Sequence, residues 1–196
     1  MLNHIRPALV MVVLFTGLLG VAYPLAVTWV AQAAFPAQAN GSLLKDERGQ
    51  VVGSALVGQG FAQAAYLHPR PSAAGDGYDA AASSGSNMGP LNEDLAMRVK
   101  DEAARLKSEN PSAATPADAV TASASGLDPH VSPQYAVFQI RRIAEARGVQ
   151  EVQVQEVIEK HIEGRTLDVL GQPRVNVLVT NRALDARFGR PVPQSG

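Results

Sequence analysis

PALVMVVLFTGLLGVAYPLAVTWVAQAA, Pro7 to Ala34, runs for 28 residues without a charged side chain. As a helix it would extend about 42 Å, against a hydrocarbon core of roughly 30 Å. The run is long enough to cross a bilayer, with the excess taken up by tilt or by interfacial ends where Tyr23 and Trp29 suit the headgroup layer. Pro24 removes one helix hydrogen bond and predicts a kink. A cleaved secretory signal is the alternative, because Ala31, Gln32 and Ala33 form a small-x-small site downstream of Arg6. Signal cores span only about 7 to 15 residues, so the length favours an uncleaved anchor.

The flanking charges set an orientation. Arg6 and the amino terminus stand on one side, and the mixed Lys45, Asp46, Glu47 and Arg48 on the other, which keeps the short amino-terminal end in the cytoplasm. Residues beyond about 36 are then expected outside, and an anchor or a cleaved signal delivers them there equally. Thr16 with Gly20, and Ala22 with Ala26, are small residues four apart that would let another helix approach closely.

The chain of 196 residues has room for one domain beside this segment. Of its 17 Lys and Arg and 18 Asp and Glu, only Arg6 falls within residues 1–40, so the remainder is nearly neutral and excludes an electrostatic nucleic-acid binder. There is no Cys, hence neither a disulfide framework nor a thiolate metal site.

Along the exported part, Phe35 to Gly41 reads as an exit linker, and Val51, Val52, Ala55, Leu56 and Val57 as a strand or hairpin bounded by Gly53 and Gly58. Asn92, followed by Glu93 and Asp94, caps an amphipathic helix ending near Ser108. Asp118 to Ser125 reads as a short strand of small residues before a turn at Gly126 to Pro129. Ser132 and Pro133 open a helix closed by Arg147 and Gly148, and a third helix runs from about Val149 to Ile162. Leu167 to Leu170, the turn Gly171 to Pro173, and Val175 to Val179 read as strand, tight connection and strand. Asn181 is placed as the cap of a last short helix through Leu184, and the end of the chain as a frayed tail. Separate short strands with consecutive helices predict an α+β fold. The expected divisions are an amino-terminal segment over 1–35 with its transmembrane helix at about 7–34, a linker over 36–47, an α+β domain over 48–188 and a tail over 189–196.

Candidate chemistry is sparse. Ser86, His130 and Asp128 supply the residue types of a hydrolase, but Ser86 does not stand midway between two glycines as in the Gly-x-Ser-x-Gly elbow. Ser42 and Lys45 match Ser-x-x-Lys without a following Lys-Thr-Gly. His4, His68, His130 and His161 lack paired zinc spacing, Asp76, Gly77 and Asp79 lack the later Glu of a calcium loop, and no Gly-x-x-x-x-Gly-Lys phosphate loop exists. The stretch HPRPSAAGDGYDAAASSGSNMGP, His68 to Pro90, has the composition of a flexible linker. Against that, Arg70 lies between two prolines, and Tyr78, Asp79, Ser83, Ser84, Ser86 and Asn87 offer many hydrogen-bonding groups, as an ordered Ω-type loop does.

The order of these motifs resembles the C subunit of the bacterial potassium-transporting Kdp ATPase over nearly the whole chain. The residues that carry the resemblance are the apolar helix, GSALVGQGF (Gly53 to Phe61), Tyr66 with Arg70, Pro71, Ser72 and Ala73, Tyr78 with Asp79, SSGSNMGP (Ser83 to Pro90), ASGLDPHVSPQYA (Ala124 to Ala136) with Gln139, GQPRVNVL (Gly171 to Leu178) and NRALD (Asn181 to Asp185). The resemblance implies an accessory subunit of a P-type potassium pump in the bacterial inner membrane. Its implied partners are a channel-like potassium-conducting subunit, an ATP-hydrolysing subunit and the lipid bilayer. It implies that this chain assembles the complex and acts as a catalytic chaperone raising ATP affinity of the hydrolysing subunit. No Asp-Lys-Thr-Gly phosphorylation sequence is present, so hydrolysis belongs to another chain. The family's proposed nucleotide-contacting glutamine matches Gln153, here in a VQEVQ context without the glycines that bring backbone amides to phosphate. The outward orientation sets the domain apart from cytoplasmic ATP. The resemblance moves the loop reading to an ordered structural or docking segment that includes Arg70, Pro71, Ser72, Tyr78, Asp79, Ser84, Gly85, Ser86, Asn87, Gly89 and Pro90, beside Asp128 and His130. A freestanding hydrolase using Ser86 and His130 remains the alternative.

Overall fold

The computed structural model describes residues 4–191, so most of the expected tail lies outside the described residues. The chain divides into two compact units, 1–52 and 53–196.

In the first unit the uncharged run forms one continuous helix, Ile5–Ala34, with a mean hydropathy of 2.2 and no residue buried. It is long and apolar enough to cross a membrane. Pro24 is accommodated by a wider winding, because the seven residues Thr16–Ala22 form a π-helical segment and the Tyr23 N–H donates to the Leu18 carbonyl five residues back. Proline lacks an N–H and its ring crowds the carbonyl four residues earlier, so a register shift just before it removes that conflict. Phe35, which precedes Pro36, leaves the helical region (φ −138°, ψ 61°) and ends the helix. Pro36–Ala39 adds one helical turn where the sequence suggested only a linker. A hairpin follows, β1 (Leu43–Lys45) with β2 (Val51–Ser54), turned by the Asp46 carboxylate, which accepts from the N–H groups of Arg48 and Gln50, both at 2.9 Å. The strand expected to reach Val57 stops at Ser54 because the Ser54 hydroxyl accepts from the Leu56 N–H (3.1 Å) and bends the chain.

The second unit is mixed α+β. Its sheet is antiparallel in the order β3 (His130–Val131), β5 (Arg174–Asn176), β4 (Ile162–Glu163), with Val175 opposite both Val131 and Ile162. Helices Glu93–Glu109, Pro133–Phe138, Ile140–Arg147, Glu151–Lys160 and Val177–Phe188 share one core with it. Leu67, Leu106, Val131, Tyr135, Ile143, Val154, Ile158, Val175 and Leu184 form the core. Burying each such side chain contributes about 1.5 to 3 kcal/mol before entropy is counted.

Several elements depart from the sequence reading. Ala117–Val120 is a helical turn and not a strand, and the Asp118 carboxylate there accepts from the N–H and hydroxyl of Ser132 (2.7 and 2.9 Å), fixing the cap of the next helix. The helix expected from Pro133 to Arg147 breaks at Gln139, where the Gln139 N–H bonds Ala136 three residues back (3.3 Å). Leu167 to Leu170 occupy a turn between β4 and β5. Val177 and Val179 belong to the last helix, which starts where the Asn176 side chain accepts from the Val179 N–H (3.1 Å). Asn181 is therefore inside that helix and does not cap it.

Candidate functional site

The segment from His68 to Pro90 is tied to the domain through His68, Arg70, Ser72, Ser83 and Ser84. It begins at two buried carboxamides. Asn181 accepts from the Leu67 N–H (2.7 Å) and donates to the Leu67 carbonyl (2.9 Å), and Gln139 does the same for His68 (2.8 and 3.1 Å). Each side chain thus replaces a neighbouring β-strand for one residue of irregular chain. Arg142 donates to Gln139 and to the Tyr66 carbonyl, while Arg147, its side chain 2% exposed, donates to the Ala65 carbonyl (2.7 Å) and to Asp185 (2.8 Å) and lies over the Tyr66 ring. The Tyr66 hydroxyl completes the set by donating to Asp185 (3.0 Å). Both carboxamides belong to the motifs that carry the family resemblance, but nothing local in the sequence ties them to Leu67 and His68.

Further along, Arg70 donates to Asp128 (3.1 Å) and to the carbonyls of Thr121 and Ala122. Its backbone carbonyl accepts from the Tyr78 hydroxyl. The Ser72 hydroxyl donates to the Gly126 carbonyl (2.6 Å) and accepts from the N–H groups of Ala74 and Tyr78. Pro71 lies beside this junction, facing the groove described below. Asp79 caps the short turn Ala80–Ala82 by accepting from the Ala81 N–H (2.8 Å). Ser83 and Ser84 bond the Ser125 carbonyl, the Ser84 hydroxyl donates to Gly85, and Gly85 packs against Ala124 so closely that a Cβ would lie 2.9 Å from its carbonyl oxygen. Gly126, at φ +68°, would place a Cβ 2.7 Å from both Ala74 N and Ser84 O. Asn87 is exposed at φ +52°, Ser86 is half-buried, and the Gly89 carbonyl accepts from the Asn92 N–H beside an exposed Pro90. A side chain at Gly89 would meet open space. The segment is an ordered loop and no tether.

Electrostatics support the same account. Burial pushes the Asp128 carboxyl up, but hydrogen bonds from the His130 ring and backbone and the Arg70 guanidinium outweigh it, leaving Asp128 below its usual range. The His68 imidazole is held below its ordinary value by burial and then by the adjacent Arg142. Burial raises two tyrosines here, Tyr135 beside the loop to about 12 and Tyr78 within it further. The His130 ring lies near Asp128 (3.5 Å), Asn176 (3.5 Å) and Glu163 (3.9 Å). Asp128 is shared between Arg70 and His130, so the acid and the base are neighbours, but among the described residues no hydrogen bond joins Ser86 to His130, and the three residue types of a hydrolase are not assembled into one.

Beside the loop a groove of about 1010 Å³ opens under the front of helix Glu93–Glu109, lined by Phe61, His68, Arg70, Tyr78, Met97 and Tyr135 among others. Among the described residues no three His, Asp or Glu come together as a metal site. Gln153 sits three positions into helix Glu151–Lys160, half-buried, and its side-chain oxygen accepts from the Gln150 N–H (3.2 Å) as a capping contact.

Fold and site together define a class: among the described residues, one helix long and apolar enough to cross a membrane, and an α+β domain whose polar loop is built into its own scaffold. The family model for the K+-transporting ATPase, c chain, matches residues 5–186, and the chain belongs to that family. It is 65% identical over 188 residues to the potassium-transporting ATPase KdpC subunit of Caulobacter sp. (strain K31), covering 96% of each chain. It is 59% identical over 196 residues to the KdpC subunit of Myxococcus xanthus, covering 99% of this chain and 90% of the other. The KdpC subunit of Rhodopseudomonas palustris (strain BisB18) is 52% identical over 198 residues, with 95% and 99% covered. The hydrolase alternative is left without support.

Proposed function

We propose that this chain is the accessory, non-hydrolysing subunit of an ATP-driven potassium uptake complex in the bacterial inner membrane. Its amino terminus is cytoplasmic, its helix spans the bilayer once, and its α+β domain is extracytoplasmic, seated over the outer mouth of the potassium-conducting subunit. It holds that subunit and the ATP-hydrolysing subunit in one assembly. Any gain in ATP affinity is transmitted through assembly, since the domain and cytoplasmic ATP lie on opposite faces. Gln153 in this reading serves its helix.

The observation that carries the proposal is the 30-residue apolar helix, none of it buried, with Arg6 in its first turn on the amino-terminal side. Such a surface requires lipid or other helices around it. The names of the relatives supply the pump. Because the chain has no Cys, a single Asn87→Cys can be labelled uniquely on the exposed loop. In intact spheroplasts a membrane-impermeant maleimide is expected to label it, and a cross-linker there to reach extracytoplasmic loops of the potassium-conducting subunit. Labelling only after the membrane is opened would overturn the orientation.

A further inference from the structure

Residues 162–174 are all exposed, on both faces of the hairpin they form. The stem of this arm is firmly rooted. Glu163 pairs with Arg174 across the ladder (2.8 Å), and fully buried Val175 at the base is opposite Ile162 on one edge and Val131 on the other. The tip is closed by reciprocal backbone bonds between Thr166 and Leu170, 2.9 and 3.0 Å. Between them Leu167 and Asp168 both have left-handed backbones, at φ +54° and +59°. Glycine, Asn or Asp suits such positions, and Leu does not. The turn nevertheless carries Leu167 at 84% exposure, with Val169 at 74% and Leu170 at 63% beside it. A turn that only reversed the chain would gain from Asn-Gly here. This one accepts an unfavourable backbone and presents an apolar tip on a stem held at its base by the Glu163–Arg174 pair and the buried Val175.

The geometry points to a docking arm, whose Leu167–Leu170 tip enters an apolar recess on the extracytoplasmic surface of the potassium-conducting subunit. The inference rests on the assembly reading above. A narrow tip exposed on both faces fits a concavity and leaves much of itself uncovered on a plane. Asp168 lies among the three apolar side chains, where acyl chains offer its carboxylate no donor and a protein recess can. Arg165, Glu163 and Arg174 on the stem then fall at the polar rim of the contact.

The test uses the full chain co-expressed with both partner subunits, with a photoreactive amino acid at Val169. An adduct with the potassium-conducting subunit, identified by mass spectrometry, is expected, and adducts with lipid alone would overturn the arm. In parallel, Leu167→Gly with Leu170→Ser is expected to lower recovery of that subunit in mild detergent about tenfold. The unfolding midpoint of the full-length variant should not fall, because glycine suits φ +54°. Undiminished recovery by the variant, with the wild type recovering both partners, contradicts the arm alone. A wild-type chain that recovers neither partner contradicts the assembly reading and the arm with it.

Discussion

Asn181, 1% exposed within the last helix, holds both backbone groups of Leu67, a residue 114 positions earlier, in hydrogen bonds of 2.7 and 2.9 Å. Gln139, at the break between two helices, holds His68 in the same manner, so two side chains far apart in sequence fix consecutive residues at the entrance to the polar loop.

Asn181→Leu keeps the bulk and removes both partners of Leu67. Two buried backbone groups are then left unsatisfied, and the expected loss is about 2 to 4 kcal/mol. Denaturant unfolding of the full-length chain in detergent reads it. A loss below about 0.5 kcal/mol would show that Leu67 finds other partners.

Gly126→Ala combines a left-handed backbone with a Cβ 2.7 Å from two backbone atoms of the loop. It is expected to cost about 2 kcal/mol or more, whereas Gly89→Ala, where space is open and φ is not left-handed, stays within about 0.5 kcal/mol. Comparing the two midpoints separates shape from composition within one loop.

His68 has a folded pKa below its ordinary 6.5. The unfolded chain therefore binds a proton first as pH falls. The contribution is fully present above pH 6.5 and declines below it until the folded value is passed. Unfolding midpoints measured from pH 7.5 down to 5 should fall in the wild type and fall less steeply in His68→Gln, which keeps a polar side chain beside Arg142, Glu109 and Arg105. Equal slopes would mean that His68 is not the group titrating.

Ser86→Ala is expected to leave potassium-stimulated ATP hydrolysis by the assembled complex unchanged, since Ser86 has neither base nor acid arranged around it. Arg70→Ala, which abandons Asp128 and two carbonyls, is expected to destabilise the domain by about 1 to 3 kcal/mol. A large activity loss from Ser86→Ala in a stably folded chain would reopen the catalytic reading.

What could be read from sequence follows the range of the interactions involved. The uncharged run, the Asn92 cap and the Gly148 helix stop are local features, and the structure carries them: Asn92 accepts from the Leu95 N–H (3.0 Å), and Gly148 ends its helix at φ +65°. The α+β class followed from the same local patterns. The run Val175 to Val179 misled because a short apolar stretch with β-branched residues has no period that separates strand from helix. Its second half is helical because the Asn176 side chain, and the burial of Val177 and Leu178, decide it. The polar loop looked like a linker by composition, since its order comes from Gln139, Asn181, Asp128 and the 124–126 backbone, partners far away in sequence. Pro24 announced a defect in the helix, but not that the defect would take the form of a π segment.

The most direct test of the central claim is purification of the intact chain through a tag in mild detergent. The account predicts co-recovery of two larger membrane proteins, with ATPase activity stimulated by potassium in the recovered complex. Recovery of this chain alone, folded and without associated ATPase activity, would contradict it.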